Sequence, residues 1–415
     1  MQPTPTPVLD DPKGLLIEPY DTLFFRDGRP FGPTDFGRSQ LPLPQTIAGM
    51  VRTCLMNAFG LKSSQIHNLR ENANGVELYQ SALAFIACRG PWIVEIENNK
   101  IKDLFIPPPA HLCHLKRDKD KLILLRPLDD VNDLPGWKSS SGQNDVRPVI
   151  YTENSDAIEA ENRWMGKDAI AAILKGEKPV KDLIKPEELF TWEERTGVTI
   201  SPDTYTGEDS QLYSTRQLRL QKNIALYAEI GWETVDENQK EDLKKIKNAF
   251  KSWGDFEKLF PQEGTILPLG GEGRRVVVKQ TTEPFSWPQI NVEDKGGVQR
   301  AFTWLISPLI NYQHERTNGE REPWSPMSCA KLVGVVCPKP LAISGWDMAG
   351  EGGEERKARP RPTKYAVPTG AVYFWERGNN ANLDKPFINN STLVQLSENA
   401  KDRANGWGMA LKGGW

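Results

Sequence analysis

The stretch "PLPQTIAGMVRTCLMNAFG", Pro42–Gly60, decides how the first part of the chain folds. Ile47, Met50, Val51, Cys54, Leu55 and Ala58 recur at helical spacing and predict an amphipathic helix with one apolar face. Pro42 and Pro44 mark its start, and Gly60 suits the position just past its end. Gly49, inside the helix, costs about 1 kcal/mol relative to alanine, which a close backbone approach there would explain. Before the helix, "LLIEPYDTLFF" (Leu15–Phe25) reads as a strand. Its interruption at Pro19 suits an edge or a bulge better than a central ladder. After the helix, "GPWIVEIENNKIKDLFIPPP" (Gly90–Pro109) predicts two strands around an Asn98–Asn99 turn, and "KLILLRPL" (Lys121–Leu128) adds another. Strand, helix, strand, strand is the opening of a ferredoxin-like or RRM-like unit, and the expected class is α+β.

Further along, Trp137–Pro148 is a polar, breaker-rich linker. "RWMGKDAIAAILKG" (Arg163–Gly176) predicts a helix closing on Gly176, and "NIALYAEIGW" (Asn223–Trp232) a strand. Glu241–Trp253 places Leu243, Ile246, Phe250 and Trp253 on one helical face with lysines on a solvated face. "RRVVVK" (Arg274–Lys279), "KLVGVVC" (Lys331–Cys337) and "AVYFWERG" (Ala371–Gly378) read as strands, and Asp347–Lys364 as a charged, glycine-rich mobile loop. No internal sequence repeat is visible.

A chain of 415 residues can hold two or three domains with cores of their own. The Pro/Thr-rich start predicts a flexible tail over residues 1–13, and no apolar run reaches the roughly 18 residues of a membrane span. Five scattered cysteines, with no CxxC pair, fit a reducing cytoplasm rather than a disulfide framework. The net charge of −3 argues against general nucleic-acid binding, so any such site must be a local cluster of cations.

Candidate chemistry is sparse. "LPLGGEGRR" puts Gly270, Gly271 and Gly273 ahead of Arg274 and Arg275. Such glycines could turn backbone N–H groups toward an anion, or simply form a tight hairpin. No GK[ST] follows, so this is not a Walker loop. Near the C-terminus Gly406 and Gly408 suit a hairpin end, a helix cap, or a loop pressed on a phosphodiester backbone. "HLCH" groups His111, Cys113 and His114, but a zinc site needs a second ligand pair, and Cys329 and Cys337 stand too far apart to supply one. The single carboxylates Asp27, Asp35, Asp203 and Glu272 assign no general acid–base pair. What remains is arginine beside glycine: Arg26 and Arg29 flank Gly28, followed by Arg38, Arg52 and Arg195. Planar guanidiniums of this kind make bidentate phosphate contacts, but Arg52 suits a surface helix and Arg195 an intrachain salt bridge equally well.

Seven stretches occur in one order: "DTLFFRDGRPF" (Asp21–Phe31), "PLPQTIAGMVRT", "IPPPA", "EERTGVTISPDT" (Glu193–Thr204), "QLYSTRQLRL" (Gln211–Leu220), "LPLGGEGRR" and the closing "GWGMALKGGW". This series resembles the family of the third subunit of the type III-B CRISPR effector, the Cmr complex, within the RAMP superfamily. The likeness runs from about Leu15 to the C-terminus. It implies two ferredoxin-like RAMP modules with long loop insertions: an N-terminal one over 14–160, and a C-terminal one over 161–415 with inserted helices and loops. It also implies a non-catalytic, cytoplasmic subunit of a hetero-oligomer, with no cofactor, no metal and no membrane contact. Its partners would be the 5′ handle of the CRISPR RNA, the large polymerase/nuclease subunit and the first backbone RAMP subunit. On this resemblance Arg26 and Arg29 face the handle or its flanking protein, and Gly28 lets the backbone approach. Arg38, the Gln45–Thr46 helix start and Arg52 stand behind them. Gly270, Gly271, Arg274 and Arg275 line the second module, and Arg195, Gly406 and Gly408 complete the RNA-binding set. Two alternatives stay open: a RAMP endoribonuclease cutting CRISPR repeat RNA with His67 or the His111/His114 pair, and a subunit whose arginines contact protein only.

Overall fold

The apolar run Leu15–Leu16–Ile17 is buried on both faces of its strand, and the rest of the architecture is arranged around it. The structure is a computed structural model. It describes residues 9–26, 37–58, 86–129, 146–151, 156–201, 203–233, 241, 244, 258–290, 294–295, 298–310, 331–347, 359–377, 392–397 and 399–415. In chain order the principal elements begin with β1 (Asp10–Pro19), β2 (Gly37–Arg38), α1 (Pro44–Ala58), β3 (Ile86–Glu97) and β4 (Lys100–Phe105). There follow β5 (Leu112–Leu115), β6 (Asp118–Leu124), β7 (Ile158–Ala160), α2 (Lys167–Leu174) and α3 (Pro186–Leu189). The middle of the chain supplies β8 (Phe190–Ile200), β9 (Gly207–Leu220), β10 (Ile224–Trp232), β11 (Thr265–Pro268) and β12 (Arg275–Gln280). The last part supplies β13 (Asp294–Lys295), β14 (Val298–Leu305), β15 (Lys331–Val336), β16 (Val372–Arg377), β17 (Leu393–Gln395), α4 (Ala400–Ala404) and β18 (Met409–Gly414).

Two six-stranded antiparallel sheets with few helices make this an α+β chain. The first runs β11-β12-β1-β10-β3-β4, and the second β15-β16-β14-β18-β17 with β13 paired to β14. Leu15 and Ile17 point to the face covered by α1, whose Ile47, Val51 and Leu55 are fully buried. Leu16, Trp92, Val94 and Tyr227 point to the opposite face and pack on Phe302, Trp304, Phe374 and Leu411 of the second sheet, with Ile170 and Ile173 of α2 among them. Burial of both faces explains why β1 lacks a polar alternation.

Much of the local reading matches. Asn98 and Asn99 take φ values of 52° and 60°, as a two-residue type I′ hairpin turn requires, although β3 begins at Ile86, earlier than expected. The helix before Gly176 ends there with φ 76°, and the strands expected at Asn223–Trp232, Arg274–Lys279, Lys331–Cys337 and Ala371–Gly378 form.

Other expectations need correction. β1 is not an edge strand, because β12 and β10 pair on its two sides, but at Pro19 itself only β12 is paired, since the β10 pairing ends at Ile17. Pro19 is the last paired residue, where a missing N–H costs least. Residues 9–13 of the expected tail are ordered, since Leu9 is buried and β1 starts at Asp10, and residues 1–8 lie outside the described residues. Gly49 meets no close backbone: a Cβ there would face open space. Ala58, expected on the apolar face, is exposed at the helix end. The division at 160/161 does not separate the sheets, because β10, β11 and β12 complete the first one; the doubly buried β1 needs partners on both sides. Gly60, residues 137–145 of the expected linker, most of Glu241–Trp253 and residues 348–358 of the expected loop lie outside the described residues. Among the described residues no helix is long and apolar enough to cross a membrane.

Candidate nucleic-acid interface

The hairpin β8–β9 stands at the end of β1, tied to it by the reciprocal pair Leu23 N–H to Leu218 O and Leu218 N–H to Leu23 O, both 2.8 Å. β2 adds a parallel pairing at Gly37↔Thr215 and Arg38↔Arg216. In the hairpin register Glu193 faces Gln217, Arg195 faces Thr215, and Thr191 faces Arg219. The two-residue period of a strand therefore puts Glu193, Arg195, Gln217 and Arg219 on one face. The other face carries Trp192, Arg216 and the fully buried Leu218. The Arg216 guanidinium lies 4.9 Å from the Trp192 ring centre.

Asp21 sits opposite the polar face and gathers three arginines. Its Oδ1 accepts from Arg219 (2.9 Å), and its Oδ2 accepts from Arg195 (3.0 Å) and Arg274 (3.3 Å). Glu193 accepts from Arg195 Nε at 2.7 Å and from Arg219 Nε at 2.6 Å. Arg274 also donates to Gln217 Oε1 at 2.8 Å, the oxygen that accepts from Thr22 Oγ1 at 2.5 Å. The hydrogen bond from Arg195 holds the Asp21 carboxyl below its ordinary range, and bonds from Arg195 and then Arg219 do the same for Glu193. Both carboxylates thus stay charged to lower pH than they would alone, and the guanidiniums are held in fixed orientations.

Arg274 reaches this cluster because the glycine turn is a hairpin between β11 and β12 that folds over Phe24. Gly271 N–H donates to Phe24 O at 2.8 Å, so that N–H meets a carbonyl rather than an anion. Gly270 has φ 79°, and a Cβ on it would stand 2.5 Å from the same oxygen. The turn belongs to the first sheet, which corrects the expectation that Gly270, Gly271, Arg274 and Arg275 line a second module. Beside it lies an open cleft of about 440 Å³ lined by Tyr20, Asp21, Thr22, Ile266, Glu272, Gly273, Arg274 and Arg275. Arg26, one step along from Phe25, is exposed and pairs by a backbone bridge with Ser39, next to β2. Gly28 and Arg29 lie outside the described residues.

The remaining expected residues gather elsewhere, where α1 meets the C-terminal part. Arg52 donates to Asn405 Oδ1, to Ile86 O at 3.1 Å and to Ala404 O at 3.3 Å, and Gln45 Nε2 donates to Ser344 O at 2.7 Å. Thr46, next to Gln45, is half-buried, its N–H donating to Leu43 O at 2.9 Å. Gly406 and Gly408 do meet a close backbone, but it is the chain's own: a Cβ would stand 2.8 Å from Cys88 O and from Ser397 N respectively. His111 is buried against Phe302 and Phe374, and desolvation pushes its pKa down to about 3. His114 is buried 3.7 Å from both Glu159 and Glu161. Both histidines offered for repeat-RNA cleavage are thus buried, and His67 lies outside the described residues. Among the described residues no three His, Cys, Asp or Glu side chains come together as metal ligands.

Sequence reasoning missed Asp21, Glu193, Gln217, Arg219, Tyr20 and Ile266. The alternation Glu193-x-Arg195 facing Gln217-x-Arg219 was the available signal, since a strand turns such residues to one side.

A family model described as CRISPR-associated protein (Cas_Cmr3) matches residues 15–415. The chain belongs to the Cmr3 family of CRISPR-associated proteins. The family expected from the ordered motifs is therefore the family shown. A search of curated proteins returned no match. Solved structures to which this Cmr3-family chain is loosely similar include a type III-B Cmr-beta complex bound to cognate target RNA and AMPPnP. There the identity is 15%, covering 87% of this chain and 86% of that one, at a TM-score of 0.41. A Cmr-beta complex bound to cognate target RNA gives 17% identity, 87% and 86% coverage, and a TM-score of 0.40. The Csm3–Csm4 subcomplex of a type III-A CRISPR-Cas interference complex gives 12%, 87% and 92%, and 0.38.

Proposed function

We propose that this chain is the non-catalytic subunit of a type III-B Cmr effector that holds the 5′ handle of the CRISPR RNA. The corner around Asp21 receives the RNA, and other surfaces of the chain join the large subunit and the first backbone subunit. The two six-stranded sheets stand for its two ferredoxin-like RAMP modules. One observation carries the reading: three motifs scattered along the sequence, at Asp21–Arg26, Glu193–Leu220 and Gly270–Arg275, converge on one corner that gathers Arg195, Arg219, Arg274 and Arg275. A local cluster of this kind answers the net charge of −3, because single-stranded RNA is held by phosphate and base contacts over a small area. Arg26 lies at the same strand end, and Arg26, Gly28, Arg29 and Arg38 belong to the proposed surface. Arg52 and Gln45 act behind it, by fixing α1 to the C-terminal part, and Thr46, Gly406 and Gly408 shape the backbone beside them.

The test is to purify the tagged chain from its native cells and to sequence the RNA that crosslinks to it. Reads with one fixed 5′ end followed by variable sequence, crosslinked near Asp21–Arg26 or Arg274–Arg275, are expected. RNA without a common end, or none, refutes handle binding. In the assembled complex, Arg274→Ala with Arg275→Ala should lower the log–log salt slope of handle binding by about 0.7 for every phosphate no longer neutralised.

A further inference from the structure

We infer that the cleft beside the Asp21 cluster is a subsite for one nucleotide, with Tyr20 as the platform on which its base stacks. The inference rests on the proposed RNA-binding function and adds to it the residue that holds a base rather than a phosphate.

Tyr20 follows the last residue of β1, and its N–H donates to Arg275 O at 3.2 Å, so its backbone is fixed while its side chain remains 62% exposed. An aromatic ring left in water beyond the buried Leu15–Ile17 run has no packing role in the core of the described residues. Ile266, on the edge strand β11, is 52% exposed and lines the same cleft. The other walls are polar: Arg274 and Arg275 supply guanidiniums, and Glu272 supplies a carboxylate. Flat apolar surface, cations and an acceptor within one small cleft match the face of a base, its phosphate and the exocyclic amino group that adenine, guanine and cytosine carry. A base stacked on an aromatic side chain with arginine nearby is the common mode of single-strand binding.

The cleft's size points the same way. About 440 Å³ is at the lower end for a small-ligand site, and its apolar lining is confined to Tyr20 and Ile266. A stable protein interface buries about 800 Å² on each partner around an apolar centre. Asp21 does not repel the phosphate, since Arg195, Arg219 and Arg274 already neutralise it.

The experiment measures binding of the full chain to a fluorescein-labelled single-stranded RNA of eight nucleotides as a function of salt. Tyr20→Ala should weaken binding by about 5- to 150-fold, the range for removal of one base–aromatic stack, with the salt slope unchanged. Tyr20→Phe, which keeps the ring, should stay within about two-fold of wild type. Arg275→Ala should instead lower the slope by about 0.7. Wild-type binding with an unaffected Tyr20→Ala variant overturns the subsite and leaves the handle reading standing. The same conclusion holds if that variant loses only partner proteins. A Tyr20→Phe variant as weak as Tyr20→Ala overturns stacking. No RNA binding by the wild-type chain overturns the subsite, while the crosslinking from native cells decides the handle reading separately. AMP added as competitor separates the two sources of a nucleotide: displacement of the RNA by micromolar AMP assigns a free nucleotide and overturns the strand.

Discussion

Replacing Arg52 by alanine separates a clasp from a phosphate contact. The side chain leaves α1 and joins two segments distant in sequence, reaching Asn405 and Ala404 at the C-terminal helix α4 and Ile86 at the start of β3. Each hydrogen bond from a charged donor is worth about 1.5–3 kcal/mol, and bonds from a single guanidinium are not additive. Arg52 is half-buried, so water recovers part of the loss at the freed carbonyls. The expected cost of Arg52→Ala is about 3 kcal/mol of global stability. At about 2–4 °C per kcal/mol for chains somewhat smaller than this one, the thermal midpoint falls by roughly 6–12 °C or less. Urea unfolding gives the free energy directly, and Arg52→Lys should recover less than half of it, because an ammonium cannot reach three acceptors with one planar fork. RNA binding by the folded variant should change little. A stability change below about 0.5 kcal/mol together with weakened RNA binding would refute the clasp and return Arg52 to the RNA surface.

Buried His111 predicts an acid dependence of a definite sign. Its folded pKa of about 3 lies below the ordinary 6.5, so the unfolded chain takes up a proton that the folded chain refuses. Stability is therefore full above pH 6.5 and is lost at up to about 1.4 kcal/mol per pH unit as pH falls toward 3. Urea titrations of wild type and His111→Phe should diverge over that window, and parallel curves would show that the histidine charges inside the fold. At the C-terminus, a Cβ on Gly413 would press on the Phe302 ring and stand 2.9 Å from Leu174 O. Gly413→Ala should cost about 1–3 kcal/mol by overpacking, and an unchanged melt would show that the ring can move aside.

The sequence by itself determined the local elements. The helix face of α1, the Asn98–Asn99 hairpin and the strands at Arg274–Lys279 and Ala371–Gly378 follow from periodicity and turn chemistry, which act over a few residues. Ordered motifs were enough for the family. Partnership was not legible. Pro19 looked like an edge signal, yet β1 is central, because what matters is where along the ladder the proline falls. Arg195 and Arg274 are 174 and 253 residues from Asp21, and only the pairing of β1 with β12 and the bridge from Leu23 to the β8–β9 hairpin bring them to one carboxylate. The same packing turned Arg52, Gln45, Gly406 and Gly408 inward, toward the chain's own backbone. Apolar strands carry a two-residue period but no label for their neighbours. Register and partner are settled by burial over the whole chain, and so tertiary structure alone decided which arginines share a site.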